Sequence, residues 1–192
     1  MSVTGRSGSG KSTLLSVVAG LVRPRGGTVT LLDLRVDKLR ANTLARMRRQ
    51  HLGVVFQAGE LLPSLTAVEN VALPLLLDGG RWSVAEDSAR DLLAELGVDN
   101  GSHDLPAGDL SGGERQRTAV ARAVVTEPAL LMADEPTGAL DAQTRDEVAD
   151  LLFSLPAVRG CALVVVTHDP TIASRADEHF DLVDGVLTGT CT

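Results

Sequence analysis

A chain of 192 residues has room for one well-buried α/β core but not for two full domains. Its composition, 44% hydrophobic and 22% charged, is ordinary for a soluble protein, and a net charge of −7 argues against a basic face for nucleic acid. Apolar stretches such as Val71 to Leu77 and Cys161 to Val166 fall far short of the ~20 residues that span a bilayer, so any membrane role is expected to pass through a partner. The N-terminus lacks a secretory pattern, and Cys161 and Cys191 suit neither a disulfide framework nor a zinc site. The expected compartment is the cytoplasm.

In chain order, Val3-Thr4 reads as the tail of a strand and Lys11 to Leu21 as a helix. Thr28 to Asp33 and Leu52 to Phe56 read as further strands. From Ala58 to Glu127 the signals turn helical. Ser83-Val84-Ala85-Glu86 fits a capping box, and Ala85, Ala89, Leu92, Leu93 and Leu96 follow one face until Gly97 ends it. Strand-like runs return at Ala129 to Asp134 and Cys161 to Thr167. The helix between them repeats Val148, Leu151, Leu152 and Leu155 at helical spacing. Wholly apolar strands alternating with helices imply a mostly parallel sheet covered on both faces.

Gly5-Arg6-Ser7-Gly8-Ser9-Gly10-Lys11-Ser12-Thr13 matches the G-x-x-x-x-G-K-[ST] loop and lies between a strand end and a helix start, where such a loop must lie. Its glycines let successive N–H groups point at one anion, Lys11 adds a positive charge for the β and γ phosphates, and Ser12 offers a hydroxyl to Mg²⁺. Taken alone, this loop says only nucleoside triphosphatase, since GTPases, kinases and motors use it equally. Leu130 to Asp134 is an apolar strand ending in two carboxylates. Asp134 is expected to hold Mg²⁺ through its water shell and Glu135 to take a proton from the attacking water. His168 closes another apolar strand, at the edge where open α/β sheets place their ligands, and Gln57 follows Val54-Val55-Phe56 in the same way.

Leu110-Ser111-Gly112-Gly113-Glu114-Arg115-Gln116-Arg117 opens a further helix between the phosphate loop and Asp134. By itself this is a serine-capped helix start. With Lys11, Gln57, Glu135, Asp141 and His168 in this order, it resembles the signature of the ATP-binding-cassette (ABC) family, and the resemblance covers essentially the whole chain. It implies a P-loop NTPase fold of the ABC nucleotide-binding type, with a mostly parallel sheet, a residual antiparallel β-subdomain and an inserted helical subdomain. Residues 1–57 and 128–192 would form the catalytic core and residues 58–127 the helical arm.

The resemblance also implies an ATPase using ATP and Mg²⁺, with Glu135, His168 and Gln57 catalytic and Gln57 joining Ser12 and Asp134 at the metal. Ser111, Gly112, Gly113 and Glu114 would form a second anion site for another subunit's ATP, and Asp141 would belong to the loop passing between the two sites. A head-to-tail dimer, with a second copy or a homologous subunit, would then drive a transmembrane permease from the inner face of the membrane. Arg48 to Gln57, Leu61 to Val71 and Asp134 to Asp141 look like the lipoprotein-release and macrolide-export group. Family members carry a longer lead before the phosphate loop, with strands and an adenine-stacking aromatic. Here only Met1 to Thr4 precede Gly5, so a truncated, weakly active or inactive cassette is the alternative expectation, and a non-transport ATPase of the same superfamily another.

Overall fold

The computed structural model describes residues 1–57 and 60–190, so the expected start of the helical arm at Ala58 lies outside the described residues. The elements are β1 (Ser2–Thr4), α1 (Lys11–Val18), β2 (Thr30–Leu31), β3 (Leu34–Arg35), α2 (Ala41–His51), β4 (Leu52–Val55), α3 (Ala67–Leu77), α4 (Trp82–Glu95), α5 (Gly112–Val124), β5 (Leu130–Asp134), α6 (Ala142–Arg159), β6 (Ala162–Val166), α7 (Pro170–Ala173), β7 (His179–Val183) and β8 (Val186–Thr190). Short 3-10 turns at Val36–Lys38, Asn100–Ser102 and Ala107–Asp109 complete them.

The main sheet runs in the order β4-β5-β6-β1-β7-β8, parallel throughout except for the final antiparallel β7–β8 pair. The run Leu130 to Ala133 is wholly apolar because it is buried on both faces. Leu131 and Ala133 join a core shared with α3, α4, α5 and α6, whereas Leu130 and Met132 join one shared with α1 and α2. A three-layer arrangement results, with the parallel strands aiming their C-terminal ends at one edge.

The expected single strand at Thr28 to Asp33 is instead a two-residue strand and a turn. Leu32 and Asp33 both have positive φ, 48° and 62°, and fold β2 back onto β3 as a small antiparallel hairpin. Helix α1 stops at Val18, short of Leu21, because Gly20 (φ 66°) ends it. The expected capping box at Ser83 is not formed. α4 begins at Trp82 and is capped by Arg81 without a side-chain bond, because the turn through Gly79 (φ 95°) ends α3 and leaves the Arg81 carbonyl to accept from Ala85 N–H. The two boxes that do form are Thr66 with Glu69 at α3 and Ser111 with Glu114 at α5. The apolar face of α4 and its end at Gly97 agree with expectation: Ala85, Ala89, Leu92, Leu93 and Leu96 are buried, and Gly97 has φ 77°.

Helix α2, the short helix α7 and the β7–β8 hairpin were not foreseen. The hairpin positions the phosphate loop directly. β7 lies beside β1, Ser2 Oγ meets His179 Nδ1 at 2.9 Å, Thr4 Oγ1 donates to Asp181, and the Leu182 backbone underlies Gly5. The signal was present in Asp184-Gly185 (φ 50° and 77°) between alternating apolar residues, the composition of a tight hairpin turn.

Candidate functional site

At the C-terminal edge of the parallel strands lies a cavity of about 620 Å³, lined by Gly5, Arg6, Ser7, Gly8, Gly10, Lys11, Ser12, Thr13, Gln57, Asp134, Glu135 and His168. Four separate strand ends therefore deliver the residues expected together: β1 the loop, β4 Gln57, β5 the acidic pair and β6 His168. A concavity of the same volume at the other end of the sheet, lined by Met1, Phe153, Cys161 and Arg175 among others, lacks any such cradle.

The loop's shape is set by glycine. Gly5, Gly8 and Gly10 have φ of 154°, 79° and 101°, and a Cβ on Gly5 would meet Leu182 O at 2.7 Å and Ser9 Oγ at 2.8 Å. Gly10 is the N-cap of α1 and has no side chain to satisfy the first-turn amides, which stay available to an anion. Lys11 is buried, 8% exposed, with its Nζ donating to Gly5 O at 2.9 Å and Arg6 O at 3.2 Å and meeting no carboxylate among the described residues. Ser9 Oγ is buried without a partner. An ammonium shielded from water and balanced only by carbonyls, next to an orphaned hydroxyl and uncapped amides, fits a phosphate chain. Ser12, Asp134 and Gln57 offer a hydroxyl, a carboxylate and an amide oxygen, the hard donors that suit Mg²⁺.

Glu135 sits one residue past β5 in the left-handed region at φ 46°, pinned by its N–H to Val166 O at 2.8 Å. Its Oε2 meets His168 Nδ1 at 2.9 Å, accepts from His168 N–H at 3.3 Å, and accepts from Thr167 Oγ1 at 3.2 Å. Gln57 packs against the turn after Glu135, where a Cβ on Gly138 would lie 3.2 Å from its Nε2. Thr167 was not singled out in the sequence, and a lone strand-end threonine carries no signal that could have marked it.

Ser111, Gly112, Gly113, Glu114 and Asp141 do not reach this cavity. They line a second one of about 410 Å³ with Arg117, Leu140, Thr144 and Glu147. Ser111 is engaged by its own helix: its Oγ lies 2.6 Å from Glu114 Oε2 and accepts Glu114 N–H at 3.3 Å. The Ser102 hydroxyl, 2.5 Å from Glu114 Oε1, and then Ser111 hold the Glu114 carboxyl below the usual carboxylate range. Asp141 caps α6, accepting Thr144 N–H at 3.1 Å and Thr144 Oγ1 at 2.7 Å, and these bonds lower its pKa. Gly113 faces Thr144, whose Cγ2 would lie 2.8 Å from an added Cβ, so the two halves of this surface pack on glycine.

Residues 1–138 match the family model described as ABC transporter. Over 187 residues the chain is 47% identical to the lipoprotein-releasing system ATP-binding protein LolD 1 of Caulobacter vibrioides, covering 97% of this chain and 80% of that protein. Over 190 residues it is 40% identical to the ABC transporter ATP-binding protein YtrE of Bacillus subtilis, covering 99% and 82%. The dimeric post-hydrolysis structure of the ATP-binding cassette MJ0796 bound to ADP and Pi superposes with a TM-score of 0.88 at 36% identity, covering 96% of this chain and 81% of that one. The chain belongs to the ABC transporter family, as an ATP-binding subunit.

Proposed function

We propose that this chain binds and hydrolyses Mg-ATP as half of a head-to-tail dimer and so drives a membrane permease. The observation that carries this reading is the division of the expected residues between two cavities. Gly5 to Gly8, Gly10 to Thr13, Gln57, Asp134, Glu135 and His168 meet in one, and Ser111 to Glu114 with Asp141 help form the other. One nucleotide held by the first cavity needs a second chain to supply the second surface. A likeness to a cassette solved as a dimer with ADP and Pi supports the same arrangement.

In this reading the N–H groups of the loop and of the α1 N-terminus hold the phosphates, with Lys11 as their charge partner. Ser12, Asp134 and Gln57 would hold Mg²⁺, which when bound would neutralise charge at the phosphate oxygens. Glu135 accepts the proton of the attacking water, and His168, 69% exposed at its side chain, reaches toward the γ phosphate. Among the described residues no helix is long and apolar enough to cross a membrane, and the permease places the chain at the inner face. Relatives named for lipoprotein release support an export or lipoprotein-handling group.

The test is Glu135→Gln. The amide keeps the shape but cannot take the proton, so ATP binding should persist while hydrolysis falls ~10²- to 10⁴-fold and an ATP-trapped dimer accumulates on size exclusion. Hydrolysis within a few-fold of the parent would rule Glu135 out as the base.

A further inference from the structure

Thr167 is 1% exposed, directly follows β6, and belongs to none of the motifs that identify the site. Its hydroxyl makes two bonds of fixed polarity. Asp169 N–H, which can only donate, gives to Thr167 Oγ1 at 3.0 Å, and this leaves the single hydroxyl proton for Glu135 Oε2 at 3.2 Å. Asp169 is itself held, as N-cap of α7 through Thr171 N–H at 2.8 Å and by Arg145 of α6 at 3.5 Å. The proton's direction is thus determined by surrounding structure. Glu135 Oε2 has three neighbours, the Thr167 hydroxyl, the His168 N–H and His168 Nδ1, while Oε1 has no protein partner among the described residues.

We infer that Thr167 is a positioning residue for hydrolysis, whose oriented hydroxyl anchors Oε2 of Glu135 so that Oε1 is the oxygen turned to the attacking water. This rests on the reading of Glu135 as the base. His168 cannot do the same job alone. Its side chain is mostly exposed, and turning it toward a phosphate would withdraw Nδ1, leaving the His168 backbone N–H and Thr167 as the holders of Oε2. A threonine bonding the N–H two residues on is also an ordinary turn device. What departs from that device is the proton donated onward to the carboxylate.

The experiment compares Thr167→Val, Thr167→Ser and Glu135→Gln in the same chain, measuring nucleotide Kd, single-turnover hydrolysis and thermal midpoint. Valine keeps the volume and removes the hydroxyl. The expected result is a rate per folded molecule ~10- to 100-fold lower with ATP affinity unchanged, restored to within about threefold by serine. Loss of the turn alone would lower the midpoint and leave the rate intact, which would overturn the inference. So would a serine variant as slow as valine, since shape and not the hydroxyl would then matter. Glu135→Gln separates the two claims: if it hydrolyses normally, the base assignment fails first. If it is inactive while Thr167→Val is normal, only the positioning role fails. A crystal structure of Thr167→Val gives a readout independent of turnover. Glu135 should adopt a different side-chain rotamer there, and an unmoved carboxylate counts against the inference.

Discussion

Gly53 in the middle of β4 packs directly against the signature helix. A Cβ built on it lies 2.2 Å from the carbonyl oxygen of Ala123 in α5 and 3.0 Å from Leu131 Cδ1, whereas ordinary contact begins at 3.4 Å. Gly53→Ala therefore requires β4 and α5 to separate by about 1 Å, and the obstacle is backbone, which cannot rotate away. Overpacking of this kind costs ~1 to 3 kcal/mol, and a backbone clash belongs near the top of that range. The lost freedom of the unfolded glycine returns ~0.4 to 1 kcal/mol. The net is about 2 kcal/mol, or a fall of ~4 to 8 °C in thermal midpoint for a chain of this length. Gly26→Ala is the control: nothing lies within 4 Å of its Cβ and no positive φ is required. The same separation displaces functional residues at both ends, Gln57 just past β4 and Ser111 at the head of α5, and a 1 Å misplacement can cost up to ~10²-fold in rate. Thermal unfolding and ATP turnover of the two variants test this. A Gly53→Ala midpoint within 2 °C of Gly26→Ala would refute the packing argument.

Glu114→Gln probes the signature cap. Folding lowers the Glu114 pKa, so its charged form contributes stability that is full above the unfolded carboxylate's pKa and disappears as pH falls through the folded one. At pH 7 the parent should be the more stable by ~0.5 to 1 kcal/mol, with the gap in midpoint closing toward pH 3. A gap that does not change with pH would mean that the charge contributes nothing. Mixing a Ser111→Arg chain with a Lys11→Ala chain should restore partial hydrolysis, because a heterodimer contains one composite site with both an intact phosphate loop and an intact signature. Demonstrated heterodimers that stay inactive would contradict the shared site.

The parts of this chain that were legible in the sequence are those in which backbone chemistry leaves few choices of residue. A loop that must curl its N–H groups inward needs glycine at Gly5, Gly8 and Gly10, and a strand buried on both faces needs the unbroken apolar run of Leu130 to Ala133. What escaped detection depended on distant neighbours. Helix α2 buries only Met47 fully and is mostly polar, with few apolar residues to mark it, and its packing against Gly20, through Leu44, is a tertiary event. Ser83-x-x-Glu86 satisfies a local capping pattern as well as Ser111-x-x-Glu114 does. The Gly79 turn decides against the first by setting the helix start at Trp82. Thr167 escaped for the same reason: its importance lies in Glu135, on another strand, and in Asp169, which orients it.

The charges around the second cavity carry the argument for a shared site further. Beside Ser111 and the two glycines stand Glu114, Asp141 and Glu147, with Arg117 the one cation among the described residues lining the cavity and already paired to Glu147 at 2.8 Å. A site so acidic is a poor resting place for a free triphosphate, whatever the helix N-terminus contributes. The first cavity is balanced where the second is acidic: Arg6 and Lys11 stand against Asp134 and Glu135, the Lys11 ammonium meets no carboxylate among the described residues, and the α1 amides are open. ATP should therefore load onto the phosphate loop first, where Lys11, with Mg²⁺ when bound, would offset most of its charge. Only the neutralised complex is then acceptable to the signature of a second chain. On the proposed function electrostatics would set the order: nucleotide binds, then the dimer closes, and loss of the γ phosphate would remove the group that both cavities are proposed to hold in common.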